Sequence, residues 1–79
     1  MSAVAPFALR LRQLRKRQGI SQVQLAASAG VTQQCVSLLE AGDREPGIDT
    51  VIALALALEC KPSWLAFGEG QTPDLRRVA

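Results

Sequence analysis

The sequence predicts an all-α fold of five short helices. Apolar residues recur every three or four positions in several short segments, and glycines and prolines separate these segments. Serine, threonine or aspartate precedes three of the segments, as expected at helix N-caps. Apolar residues make up 48% of the 79-residue chain, enough for one compact helical domain. We place the helices at residues 6–18, 22–29, 33–41, 50–59 and 62–67.

The first predicted helix begins at Pro6, because proline is well tolerated in a first helical turn. Phe7, Leu11 and Leu14 follow at the spacing of one helix face, and basic side chains occupy much of the remainder. Gly19 ends this helix. We expect residues 1–5 to be a loose lead-in.

The second and third predicted helices form one unit with a tight turn between them. Ser21 and Thr32 are the expected N-caps, and Gly30 is expected to adopt the left-handed conformation that ends the second helix. Small or apolar residues stand in register at the positions that face inward, which are Leu25, Ala26, Ala29, Val31, Val36 and Leu39. This combination is the helix-turn-helix pattern, in which the second of the two helices enters the major groove of DNA.

The outer face of the third helix carries amide, hydroxyl and aliphatic side chains without a charge. They belong to Gln33, Gln34, Ser37 and Leu38. Glutamine can pair with adenine through two hydrogen bonds, and an aliphatic side chain can contact a thymine methyl group. Such a face also occurs on ordinary solvated helices, so the preceding turn is what favours DNA binding.

The fourth and fifth predicted helices complete the domain. After a loop at residues 42–47, we expect Ile48 to enter the core and Asp49 to cap the fourth helix. Its inner face is predicted to contain Val51, Leu54, Ala55 and Leu58, which leaves Ile52 and Leu56 for a neighbouring helix or a subunit contact. Pro62 opens the fifth helix, in which we place Trp64 in the core, and Gly68 ends it. The domain thus spans residues 1–68, and residues 69–79 form a tail expected to be mobile.

The composition limits the possible chemistry. The chain has no histidine, which removes the commonest general base and transition-metal ligand, and we expect no enzyme activity, no metal and no cofactor. Residues 1–44 carry six basic and two acidic side chains, a net charge of +4, whereas residues 45–79 carry three basic and five acidic ones, a net charge of −2. This polarity suits a polyanionic partner.

Cys35 and Cys60 lack metal-binding spacing, and we expect two reduced thiols. Redox sensing through Cys35 would require an activating neighbour that the sequence does not provide. No apolar run reaches the ~20 residues of a membrane span, and the positive charges follow the apolar N-terminal stretch rather than precede it. We therefore expect a cytoplasmic protein without a membrane partner.

Four stretches, residues 14–26, 28–42, 44–60 and 62–65, resemble the lambda-type phage repressor and Cro family of regulators, also called the xenobiotic-response-element family. The resemblance implies a lambda repressor-like DNA-binding domain. It implies base contacts from Gln33, Gln34, Ser37 and Leu38, and phosphate contacts from Gln22, Thr32 and Arg44. Family members often have a longer polar side chain at position 38, so Leu38 favours a methyl contact there.

The resemblance also implies a structural ion pair between Arg15 and Glu40, and a two-fold dimer on a palindromic double-stranded operator. The dimer contacts would come from Ile48, Pro62, Leu65 and Phe67. The predicted function is a sequence-specific transcriptional regulator, with repression expected. The alternative is the antitoxin of a toxin–antitoxin pair, which binds a toxin protein, with the tail segment at residues 71–79 as the toxin-binding segment.

Overall fold

The computed structural model describes residues 4–68, which form five helices without a strand in that range. The helices are α1 (Val4–Arg17), α2 (Gln22–Ala29), α3 (Gln33–Ala41), α4 (Ile48–Leu58) and α5 (Pro62–Phe67). The predicted all-α class is therefore confirmed. Helix α1 begins two residues before the expected position, within the expected lead-in, and Pro6 still lies in its first turn. The expected tail at residues 69–79 lies outside the described residues.

The unit formed by α2 and α3 has the predicted caps. The Ser21 hydroxyl accepts a hydrogen bond from the Gln24 backbone N–H, and the Gln24 side chain accepts one from the Ser21 N–H, which completes a capping box. Gly30 adopts the left-handed conformation with φ 74°, and Thr32 accepts from the Cys35 N–H at 3.1 Å. These local bonds fix the ends of both helices and hence the turn between them.

The start of α4 differs from the prediction. Gly47, not Asp49, is the N-cap: Gly47 has extended backbone angles, and its carbonyl accepts the N–H of Val51 at 3.0 Å. Asp49 lies in the first turn, where its negative charge is favourable near the positive end of the helix dipole. Ile48 is the first helical residue, and its side chain is 77% exposed. The expectation that Ile48 enters the core was therefore wrong.

All five helices contribute to a single core. Its largest fully buried side chains are those of Phe7, Leu11, Leu25, Val36, Leu39, Leu54, Leu58 and Leu65. The predicted inner face of α4 is confirmed, and Trp64 packs against the core while half-buried. Helix α3 contributes only Val36 and Leu39 to the fully buried set, which leaves its opposite face open.

One side chain of α1 and one from the turn that follows it bond to the ends of other helices. Arg10 donates from Nε to the Leu65 carbonyl at 3.0 Å and from Nη2 to the Ala66 carbonyl at 2.9 Å. Gln18 donates from Nε2 to the Leu58 carbonyl at 2.7 Å. These carbonyls lie in the last turns of α5 and α4, where backbone acceptors lack partners within their own helix. Long-range side-chain caps therefore fasten the end of α5 to α1 and the end of α4 to the turn after α1.

Candidate DNA-binding surface

The outer face of α3 combines exposed and half-buried side chains. Gln33 and Gln34 are exposed in the first turn, whereas Ser37 and Leu38 are half-buried one turn later. Val36 and Leu39 are completely buried on the other side of the helix. The core thus fixes how α3 is rotated about its axis. Its free face presents two amides at one end, next to a small hydroxyl and an aliphatic side chain.

The exposed N-terminus of α3 lies beside the N-terminus of α2. The link is a hydrogen bond from Gln33 Nε2 to Gln22 Oε1 at 2.8 Å. Gln22 is half-buried in the first turn of α2, and Thr32 is exposed immediately before α3. Backbone N–H groups without a partner in their own helix, together with the helix dipole, favour anions such as phosphate at such termini.

A second hydrogen bond connects Gln22 to Glu40, nearer the core. Gln22 Nε2 donates to Glu40 Oε1 at 3.1 Å, so Gln22 bridges the surface amide of Gln33 and a buried carboxylate. Residue spacing along the sequence does not reveal this bridge. Residues 22, 33 and 40 lie on two helices, and only the angle at which these helices cross brings them together.

Arg15 and Glu40 form an ion pair with two parallel hydrogen bonds. Arg15 Nε donates to Glu40 Oε2 at 2.6 Å, and Nη2 donates to Oε1 at 2.9 Å. The Arg15 side chain is 11% exposed and that of Glu40 is 4% exposed. Arg15 Nη1 also donates to the Ile20 carbonyl at 2.8 Å, between α1 and α2. The hydrogen bond with Glu40 raises the pKa of Arg15 above its ordinary value. The pair therefore joins α1, the start of α2 and the end of α3.

Basic side chains are exposed around the helix-turn-helix unit. Arg44 is exposed in the loop that follows α3, between the acidic Asp43 and Glu45. Lys16 and Arg17 lie exposed in the last turn of α1, where the helix dipole favours cations. These side chains are free to contact phosphate, although the two acidic neighbours of Arg44 reduce the local positive potential.

The four residues expected at a dimer contact are not equivalent. Ile48 and Phe67 are 77% and 74% exposed, and Pro62 is exposed. Leu65 is completely buried among core residues of its own chain, so it has no surface to offer a second subunit. The assignment of Leu65 to the dimer contact was wrong because α5 has only six residues. In so short a helix, the spacing of the apolar residues does not show which face packs on α1.

The three exposed residues line one apolar groove between the beginning of α4 and α5. The groove has a volume of about 650 Å³, and its walls include Ile52, Pro46 and Ala66. Ile52 is 41% exposed, so within the described chain it is not covered by a neighbouring helix. The other alternative for Ile52, a subunit contact, is compatible with this position.

Both cysteines are free thiols and half-buried. Burial raises the pKa of Cys60 to about 11, which makes this thiol a poor nucleophile at neutral pH. Within residues 4–68, no cluster of three side chains from aspartate, glutamate or cysteine could hold a metal ion. None of the described helices has both the length and the apolar character that crossing a membrane requires.

A short helix held by a fixed turn, with polar side chains on its free face and the N-terminus of a second helix beside it, is the arrangement of a helix-turn-helix domain. The family model described as "Helix-turn-helix" matches residues 11–65, and the chain belongs to this family. It is a regulator domain of the phage repressor and Cro type, as the resemblance implied.

Two relatives illustrate the relationship. The HTH-type transcriptional regulator DicA of Escherichia coli (strain K12) is 37% identical over 60 residues, which are 76% of this chain and 44% of DicA. Repressor protein C2 of Salmonella phage P22 is 35% identical over 60 residues, 76% of this chain and 28% of C2. The chain therefore spans less than half the length of either relative.

Solved structures show the same fold. The restriction-modification controller protein C.AhdI from Aeromonas hydrophila superposes with a TM-score of 0.76 at 35% identity, over 78% of this chain and 94% of that chain. The P22 c2 repressor, in complex with a synthetic operator, superposes with a TM-score of 0.75 at 33% identity, over 80% of this chain and 96% of that chain. The relatives named here are regulators, a repressor and a controller protein, and none of them favours the antitoxin alternative.

Proposed function

We propose that the chain is a sequence-specific regulator of transcription that binds a palindromic double-stranded operator as a homodimer and acts as a repressor. The observation that carries this proposal is the exposed amide pair, Gln33 and Gln34, at the free end of a helix whose rotation is fixed by buried Val36 and Leu39. An α-helix with its side chains is about 10–12 Å across, which fits a major groove about 12 Å wide.

Each residue of the surface has a defined role in this proposal. Gln33 and Gln34 contact base edges, and Ser37 and Leu38 contact the following bases, Leu38 through a thymine methyl group. Gln22 uses its second N–H for a phosphate oxygen, because the first is donated to Glu40. Two further phosphate contacts, from Thr32 and Arg44, complete the set and position the helix without reading sequence.

The second subunit is proposed to dock on the apolar groove. Ile48 and Phe67 together present two large apolar side chains that are mostly exposed, and burying them against a copy of the chain would remove this surface from water. A two-fold dimer would then place two copies of α3 about 34 Å apart on one side of the duplex. The proposed site of action is the cytoplasm, where the DNA lies, and the mechanism uses no cofactor or catalytic residue.

The DNA-binding proposal is tested by selection from a pool of randomised duplexes at near-physiological salt, followed by sequencing. We expect enrichment of a palindrome whose half-sites lie about one helical turn apart. Gln33→Ala and Gln34→Ala should each relax particular positions of that palindrome, whereas Gln13→Ala, an exposed glutamine on α1, should relax none. Weak, steeply salt-dependent binding without any enriched sequence would contradict the proposal.

The dimer is tested separately by sedimentation equilibrium. Phe67→Asp should shift the monomer–dimer equilibrium toward monomer, because it places a charge inside the proposed contact. Val23→Asp is the matched control, since Val23 is 64% exposed on α2 and does not line the groove. Equal dissociation constants for both variants would exclude the groove as the subunit contact.

A further inference from the structure

A continuous series of hydrogen bonds runs from the largely buried ion pair of Arg15 and Glu40 to the first residue of α3. Arg15 donates twice to Glu40, Glu40 accepts from Gln22 Nε2 at 3.1 Å, and Gln22 Oε1 accepts from Gln33 Nε2 at 2.8 Å. The inner end is 4% exposed at Glu40, and the outer end, at Gln33, is exposed. A buried charged group is thereby linked to the surface side chain that is proposed to contact a base.

The chemistry of these side chains fixes which group donates and which accepts in each hydrogen bond of the series. A carboxylate paired with arginine can only accept hydrogen bonds, so Gln22 must turn its NH₂ group toward Glu40. Gln22 then presents its carbonyl oxygen to Gln33, and Gln33 must donate a hydrogen bond to it from its NH₂ group. Reversing either amide would set two acceptors or two donors against each other, and an unmatched polar group near the interior is costly.

This order of donors and acceptors has a consequence at the outer surface of Gln33. Its NH₂ group has two hydrogens, of which one is donated to Gln22, so one N–H and the Oε1 remain free. This donor and acceptor stand in a fixed order along the helix face. Adenine presents an acceptor at N7 and a donor at N6 in the major groove, and an amide in one order pairs with both atoms. The opposite order would not match the same base in the same place.

We propose that Glu40 is a positioning residue for base recognition: through Gln22 it fixes which edge of the Gln33 amide meets the DNA. Glu40 does not touch DNA in this arrangement. Its carboxylate therefore has two separate effects, one on stability through Arg15 and one on specificity through Gln22. The inference rests on the proposed function, since it assigns Gln33 the contact to a base.

The test uses Gln22→Leu and Glu40→Gln in the full chain. Leucine at position 22 removes the link while leaving the ion pair in place. Glutamine at position 40 can turn either its oxygen or its nitrogen toward Gln22, so the direction of the bridge is no longer enforced. Gln13→Leu on α1 is the matched control for exchanging a polar surface side chain. Circular dichroism melts show which variants remain folded at the assay temperature.

The readout is the preference for each base at every operator position, measured by selection and sequencing for each variant. At the operator position where Gln33→Ala weakens the base preference, we expect both variants to discriminate about fivefold less between the preferred base and the other bases. This is the lower end of the discrimination that a bidentate glutamine–adenine pair provides. Preferences at other positions should stay as in the wild type. A purely structural role for Glu40 would lower binding to all sequences alike and would leave that preference unchanged.

The possible outcomes separate this inference from the proposed function. If the wild type selects an operator and Gln33→Ala relaxes one position, but Gln22→Leu keeps the wild-type preference there, the positioning role is refuted and the regulator stands. If Gln33→Ala relaxes no position, Gln33 does not contact a base and the inference is overturned. If the wild type selects no sequence at all, the proposed function itself fails, and the positioning role fails with it.

Discussion

Replacing Arg15 with alanine should destabilise the domain far more than replacing Arg12. Arg15 makes three side-chain hydrogen bonds, two to Glu40 and one to the Ile20 carbonyl. In Arg15→Ala the Glu40 carboxylate, only 4% exposed, keeps a single hydrogen-bond partner, Gln22. Arg12 lies on the same helix but is exposed, so its replacement leaves no buried group without a partner.

The size of the effect follows from the burial of the pair. Breaking a fully buried ion pair by removing one partner costs about 3–5 kcal/mol. Because one edge of Arg15 reaches solvent, we expect about 2–4 kcal/mol for Arg15→Ala, and under ~0.5 kcal/mol for Arg12→Ala. In a domain of this size 1 kcal/mol shifts Tm by about 4–8 °C, so Tm should fall by at least about 8 °C.

The assay is a pair of thermal melts followed by circular dichroism at pH 7, with a urea titration for the free energy of unfolding. The double variant, in which Arg15 and Glu40 are both replaced with alanine, should be less destabilised than the sum of the two single variants. Removing both partners leaves no buried charge uncompensated. Equal Tm values for Arg15→Ala and Arg12→Ala would refute the reasoning.

Three further predictions concern the turn, the thiol and the loop. Gly30→Ala should lower stability by about 1 kcal/mol through backbone strain alone, since φ is 74° and an added Cβ meets nothing within 4 Å. A urea titration should find Gly47→Ala within about 0.5 kcal/mol of the wild type, because the poorer N-cap preference of alanine is offset by the lower conformational entropy of the unfolded chain. In a Cys35→Ser background, the alkylation rate of Cys60 should keep rising about tenfold per pH unit from pH 8 to 10, because its pKa is about 11; levelling near pH 9 would contradict this. Arg44→Ala should weaken binding to all duplexes alike and reduce the slope of log K against log salt by about one; an unchanged slope in a salt titration would exclude a phosphate contact.

The same raised pKa makes folding sensitive to alkaline pH. The folded-state pKa of Cys60 lies above the unfolded value, so folding favours the protonated thiol. The contribution to stability is complete below pH ~8.5 and is lost as pH rises toward 11. Cys60→Ala should remove this dependence, which a comparison of urea midpoints at pH 8 and pH 10.5 would measure.

Features that depend on neighbouring residues in the chain could be predicted from the sequence. Ser21 and Thr32 bond to backbone groups three residues ahead, and Gly30 supplies a conformation that few other residues tolerate. These effects act over one helical turn, so their residue types and spacing are visible in the sequence. The buried faces of α3 and α4 could also be predicted, from the spacing of their apolar residues.

Features that depend on how helices meet could not be predicted in this way. Asp49 is a better cap than Gly47 by residue preference, yet α4 begins two residues earlier than that preference predicts. Leu65 lies in a helix too short for its period to show the buried face. Arg10 and Gln22 bond to residues on other helices, and a sequence pattern does not contain the distance between helices.

The most direct test of the account compares two duplexes of equal length: the selected palindrome, and a shuffled version of the same composition. Fluorescence anisotropy over a salt series would give both dissociation constants. If α3 contacts base edges, the palindrome should bind at least about 10³-fold more tightly at physiological salt, with similar salt slopes for both duplexes, because the phosphate contacts are shared and only the base contacts differ. Equal affinity for the two duplexes would contradict this expectation, since the free face of α3 would then not recognise bases.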